Sequence, residues 1–174
     1  LVSNPMLQAQ ASKFSLFSIA DYGWNIKAYD QKKSWENAVD YIIPESDYAE
    51  AFKKFATNNN QSQYELKDEA IESEYLIDTI EDYKQSYYLG FPIQEDANSL
   101  INEFTSIKES SQMMKTYSSN EALANQLSPW LDGMIALATA GEKIIANSSY
   151  MNENSLDDPI VLEKAYENYL ESEK

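Results

Sequence analysis

Residues 4–24 read NPMLQAQASKFSLFSIADYGW. Asn4 is a preferred helix N-cap, and Pro5 suits the first helical position, where the N–H that proline lacks would have no partner anyway. Apolar residues then recur at three- and four-residue spacing, which predicts a helix to about Tyr22 that stops at Gly23. At 100° per residue, Met6, Leu7, Phe14, Leu16, Phe17, Ile19, Tyr22 and Trp24 fall on all sides of the wheel. A surface helix shows one apolar stripe; a helix apolar all round is buried between two layers. Ala9, Ala11, Ser12, Ser15 and Ser18 are small enough to let neighbours approach closely. This helix therefore calls for a partner on each flank, and the remaining chain supplies one.

Helical spacing continues along the chain. Asn25–Lys33 reads as a link, after which Ser34 caps a helix over Trp35–Ile43 that Pro44 ends. Ser46 caps the next, Asp47–Ala56, with Tyr48, Ala51, Phe52 and Phe55 on one stripe. The polar tract Thr57–Gln63 is a loop signal, and a longer helix follows over Glu65–Leu89, closed by Gly90 and Pro92. Another opens at Gln94 or Glu95 and fades near Ser110-Ser111. Asn120 caps a helix to Leu127, and apolar periodicity restarts at Trp130 with Leu131, Met134, Ile135, Leu137, Ile144 and Ile145. Pro129 between them marks either the first turn of a new helix or a kink. A loop over Asn147–Asp157 leads to a last helix, Pro159–Leu170. The fold class is all-α, a bundle of six or seven helices, with Trp130 expected in its core against Leu76, Ile80 or Phe104.

Composition excludes several functions. The 174 residues carry 29 acidic and 13 basic side chains, for a net charge of -16, and contain no His and no Cys. Without those two there is no Ser-His-Asp triad, no Cys nucleophile, no zinc site of ordinary type and no disulfide framework. So negative a chain opposes nucleic acid, whose affinity rests on Lys and Arg neutralising phosphate, and anionic membrane surfaces likewise. No apolar run approaches the roughly 18 residues of a spanning helix. Neither nucleic acid nor membrane is an expected partner.

The adjacent acidic pair Asp157-Asp158 invites an acid–base reading. It precedes Pro159 and an apolar-periodic run, so capping and the helix dipole account for it. Asn152–Asp158 is rich in oxygen ligands yet lacks the alternating spacing, central Gly and terminal Glu of a calcium loop. The 13 tyrosines and three tryptophans could stack on sugars, but at helical spacing they read as core with hydroxyls reaching solvent. Nothing assembles a nucleophile, a base and an oxyanion site. No catalytic residue, metal or cofactor is expected.

The stretch Ser3–Asn25 resembles the end of the catalytic barrel in bacterial glycoside hydrolases of family 84, which reads S-N-P-M-x-x-A-E-A-S-K, then an aliphatic helix and A-D-Y-x-W-N. The match continues through Tyr29-Asp30 and Lys33-Ser34-Trp35-Glu36, and is weaker but collinear to about residue 146, with Glu72-Ser73 and Pro129-Trp130-Leu131 similar to the family's post-catalytic helical domain. Gln10 departs from the pattern, which has Glu there.

These enzymes are β-N-acetylglucosaminidases, also called hyaluronidases or O-GlcNAcases. The resemblance implies that residues 1–25 are the last strand remnant and last helix of a (β/α)8 barrel, and residues 26–174 the post-catalytic bundle. It gives Asn4 a place at the end of the eighth strand, where the family's asparagine bonds hydroxyls of bound N-acetylglucosamine; helix capping is the competing role for the same side chain. The family's adjacent catalytic aspartates lie after the fourth strand, upstream of this motif. Asp157-Asp158 lies on the wrong side of it. The chain alone is therefore expected to be non-catalytic, a buttress for its parent barrel in a secreted bacterial enzyme acting on N-acetylglucosamine glycans. Alone, it should self-associate weakly through the first helix. The competing reading is an independent glycan- or protein-binding module.

Overall fold

The computed structural model describes residues 7–59, 73–89 and 93–153. Among them are six α-helices and no strand: α1 Ser12–Trp24, α2 Gln31–Ile42, α3 Ser46–Thr57, α4 Ile77–Leu89, α5 Gln94–Lys115 and α6 Glu121–Glu153. The all-α class is borne out. Asn4, Asp157-Asp158 and the helix expected over Pro159–Leu170 lie outside the described residues. Two compact units divide the chain: Leu1–Ala56 with Ser110–Asp132, and Thr57–Glu109 with Gly133–Lys174.

Several boundaries differ from expectation, each for a local reason. Helix α1 runs past Gly23 to Trp24, and the N–H of Asn25 still donates to the carbonyl of Asp21. Helix α2 starts earlier than Ser34. Asp30 is extended (ψ 116°) and its carboxylate accepts from the N–H of Lys33 at 2.8 Å, so Asp30 is the cap. Ser34 falls inside the helix, where it is buried. Ahead of α4, Ser73 takes a left-handed backbone (φ 54°), which interrupts the single helix expected over Glu65–Leu89; a short 3-10 turn over Glu74–Leu76 leads into α4. A non-glycine residue there costs about 1–2 kcal/mol. Two bonds hold it: Ser73 N–H to the Thr57 carbonyl, and Ser73 Oγ to Asn58 Oδ1 at 2.6 Å.

Helices α5 and α6 are longer than the sequence suggested. Ser110-Ser111 does not end α5, because Ile107, Ser111 and Met114, at helical spacing, are all buried. Pro129 neither starts a helix nor ends one; it sits within α6. Proline in a helix interior costs about 3 kcal/mol. The buried positions Leu123, Leu127, Leu131, Met134 and Ala138 pass it in unbroken four- and three-residue steps, so burial keeps the helix in phase. Nor is 147–153 a loop. Ser148 Oγ donates to the Ile144 carbonyl four residues back at 2.8 Å, a helix-compatible use of its hydroxyl.

In the first unit, Phe52 of α3 is the centre of the aromatic core. Phe14 of α1 stacks on it at 4.3 Å, and Trp35 of α2 lies 5.9 Å from both rings. In the second, Tyr83, Ile93, Ala97, Leu100 and Ile145 form the core, flanked by Ile80 and Phe104. The ring of Phe104 lies over Gly141 so closely that a Cβ there would meet it at 2.9 Å.

Trp130 departs most from expectation. It is 43% exposed and belongs to the first unit, whereas Leu76, Ile80 and Phe104 belong to the second. Phe52→Ala is expected to cost roughly 3–5 kcal/mol in urea unfolding, and Trp130→Ala about 1 kcal/mol. Equal losses would contradict this core. The two α6 glycines should also part company. Gly133 is exposed with nothing within 4 Å of an added Cβ, so Gly133→Ala should stabilise by about 0.5–1 kcal/mol. Gly141→Val should destabilise by about 1–3 kcal/mol through Phe104.

Candidate functional site

The outward face of α1 is the strongest candidate. Among the helix's own side chains Ser12 and Phe14 are buried. Leu16, Tyr22 and Trp24 are exposed, Trp24 by 92%, and Leu7 and Ile26 just outside the helix are exposed too. One side of α1 is seated on its own unit. Phe14 packs on Phe52, Phe17 lies 5.9 Å from Tyr41, and the hydroxyls of Ser18 and Tyr29 are 2.7 Å apart. The ring of Tyr22 meets that of Tyr29 edge-on at 5.3 Å. Leu16, on the side of the helix opposite Phe14, and Trp24 at its C-terminal end face solvent. Large apolar side chains exposed together on one helix mark an interaction surface.

Ahead of α1, Gln10 takes up two groups. Its backbone N–H donates to Gln126 Oε1 at 2.8 Å, and its side-chain oxygen accepts from Asn120 Nδ2 at 3.4 Å. A glutamate there would present the same acceptor oxygen, so the departure from the family pattern keeps this contact. Asn120 also caps α6 as expected, its Oδ1 accepting from the N–H of Leu123.

The polar clusters of the described residues are structural in geometry. Tyr117 donates to Glu45 Oε2 at 2.8 Å. Burial, and then that carboxylate, push the Tyr117 phenol up to about 12. Glu45 is held below the ordinary carboxylate range by bonds from Ser119 and Tyr117. In the second unit Asn58 is buried and donates from Nδ2 to the Tyr75 hydroxyl at 3.0 Å, which in turn donates to Glu103 Oε1 at 2.6 Å. Burial and the Glu103 carboxylate push the Tyr75 phenol upward. Lys115 pairs with Asp132 in the first unit, and that bond holds the Asp132 carboxyl below its ordinary value. Sequence reasoning missed these clusters, since their members are at least 17 residues apart. Among the described residues no group of three or more acidic side chains could hold a metal, and no helix is long and apolar enough to cross a membrane.

Glu142 receives Lys108 Nζ at 2.6 Å and Thr105 Oγ1 at 2.5 Å, with its side chain 17% exposed. Burial disfavours its charge, but the Lys108 and Thr105 bonds outweigh that and hold its carboxyl below the ordinary value. A depressed folded value contributes stability above the unfolded value, lost as pH falls through the folded one. Glu142→Gln should therefore cost about 1–2 kcal/mol at pH 7 and little at a pH near 2, read by urea unfolding. A pH-independent difference would contradict this pairing.

Residues 1–57 match a family model described as beta-N-acetylglucosaminidase. Over 98% of its length the chain is similar to CpGH84D, at 30% identity and a TM-score of 0.81, and over 97% to CpGH84B, at 27% and 0.80. An O-GlcNAc hydrolase variant of Thermobaculum terrenum shares the fold at 22% identity and a TM-score of 0.77. The chain spans 27%, 28% and 33% of those three structures' own chains. The resemblance to glycoside hydrolase family 84 is thereby borne out beyond the 3–36 motif that suggested it.

Proposed function

We propose that this chain, a relative of glycoside hydrolase family 84 enzymes, is the helical part of a secreted bacterial β-N-acetylglucosaminidase that buttresses its catalytic barrel. Residues 1–25 are then the barrel's last strand remnant and last helix, and 26–174 the post-catalytic domain. The observation that carries this reading is the two-sided first helix. Phe14 holds α1 to its own unit, while Leu16, Trp24 and Ile26 point outward. A barrel in cis is the partner that would cover them.

On this reading the parent enzyme performs retaining, substrate-assisted hydrolysis of N-acetylglucosamine glycosides. Its acid–base pair comes from upstream of this chain. Asn4, at the C-terminal edge of the barrel where ligand contacts gather, contributes a hydrogen bond to sugar hydroxyls when the barrel is present. The chain alone contributes seating, not chemistry.

A second reading, an independent glycan-binding module, draws on the exposure of Trp24 and Trp130. Aromatic faces open to solvent can stack on sugar rings. Titration with N-acetylglucosamine glycans separates the two, since saturable binding at up to about millimolar concentration, near −4 kcal/mol, favours the module.

Two outcomes are expected of the isolated chain. It gives no turnover of a chromogenic β-N-acetylglucosaminide; measurable hydrolysis would overturn the non-catalytic assignment. It also forms a weak dimer in sedimentation at about 0.15 M salt, where charge repulsion reaches only roughly 8 Å, and Leu16→Ser with Trp24→Ser abolishes it. A strictly monomeric chain at high micromolar concentration would count against a missing barrel.

A further inference from the structure

The second unit has an apolar groove of about 380 Å³ between α4, α5 and α6, lined by Ile80, Tyr83, Tyr87, Tyr88, Phe104 and Ile144. That volume is within the range of binding sites, roughly 300–1,000 Å³. Its rim is apolar and open: Tyr88 is 79% exposed and Ile144 55%, with Leu89 and Leu137 exposed nearby. Lys84 also lines the groove, but its ammonium is paired with Glu81 at 2.7 Å. The α6 residues that line the groove, Gly141, Ile144, Ile145 and Ser148, are uncharged.

Charge is unevenly shared between the units. Among the described residues the second unit holds ten acidic side chains and three lysines, a net of −7, whereas the first carries −2. Two of those three lysines, Lys84 and Lys108, are already paired with carboxylates. An apolar groove whose one charged lining residue, Lys84, is already paired complements one chemistry when it sits on an acidic body: apolar anchors for the groove and positive charge around them. It disfavours a second copy of this chain, which would bring a second acidic unit to the same place.

We infer that this groove docks a partner protein through an amphipathic helix whose apolar side chains enter between α4 and α6 and whose polar face is basic. The mode is helix-in-groove recognition, with anchors at three- and four-residue spacing. The acidic field steers the partner in, and the groove fixes it. This surface lies in the second unit and does not depend on the barrel reading of α1.

The test uses two fluorescein-labelled peptides of about 18 residues, five helical turns, each with leucines on one face. One carries lysines on the other face, its counterpart glutamates. Fluorescence anisotropy with the whole chain should show saturable micromolar binding of the lysine peptide and none of the glutamate peptide. Binding should weaken roughly tenfold as salt rises from about 0.05 to about 0.5 M. Ile144→Ser and Tyr88→Ser, both at exposed positions, should each weaken it at least about fivefold, or roughly 1 kcal/mol, and Tyr41→Ser in the first unit should not. The inference is overturned by absence of binding at up to about 1 mM, by equal binding of both peptides, or by lysine-peptide binding that ignores Ile144 and Tyr88. It is equally overturned if the chain dimerises without peptide and Ile144→Ser dissolves that dimer, for the occupant is then a second copy.

Discussion

The ring of Phe14 against that of Phe52, 4.3 Å between centroids, is what seats the first helix on its unit. Trp35 closes the third side, so three helices meet through three aromatic residues. Aromatic pairs in stacked and tilted arrangements add about 0.5–1.5 kcal/mol beyond the area they bury. That anchor uses one side of α1 and leaves the other outward. The polar bonds of Gln10 and Ser18 fix the direction of α1 on the seat without covering its far face. The exposure of Leu16, opposite Phe14 on the helix, follows from that arrangement.

A one-sided seat gives the outward face its functional meaning. Polar surface would serve a free helix better, since exposing several large apolar groups gains nothing in water. On the proposed reading the occupant of that face is a catalytic barrel. The acidic second unit is a separate matter. It carries an apolar groove whose one charged lining residue is the paired Lys84, and a half-buried ion pair of Glu142 with Lys108 ties its α5 to α6.

Helix existence was legible in the sequence because the apolar period is strong, and the two-sided character of α1 was legible because Phe14 and Leu16 cannot share a face. Boundaries were less so. Ser34 looks like a cap until Asp30 is seen to do the work four residues earlier. Pro129 looks like a break, yet burial at Leu127 and Leu131 outweighs its cost. Trp130 failed for a related reason: its size argued for the core, while its neighbour Leu131 occupies the buried position. Polar clusters such as Asn58 with Tyr75 and Glu103 have no local signal, for their members meet through tertiary packing alone. Asn4 was carried by a motif alone and lies outside the described residues.

Hydrogen exchange at the amides of residues 12–24 tests the central claim directly, compared between this chain alone and a longer protein in which the proposed barrel precedes it. Opening of a one-sided helix is a local event, so its protection reports what covers it. The account predicts that exchange across α1 slows by at least about tenfold, roughly 1.4 kcal/mol, when the barrel is present, while α3 around Phe52 changes little. Equal protection of α1 in both proteins would contradict it.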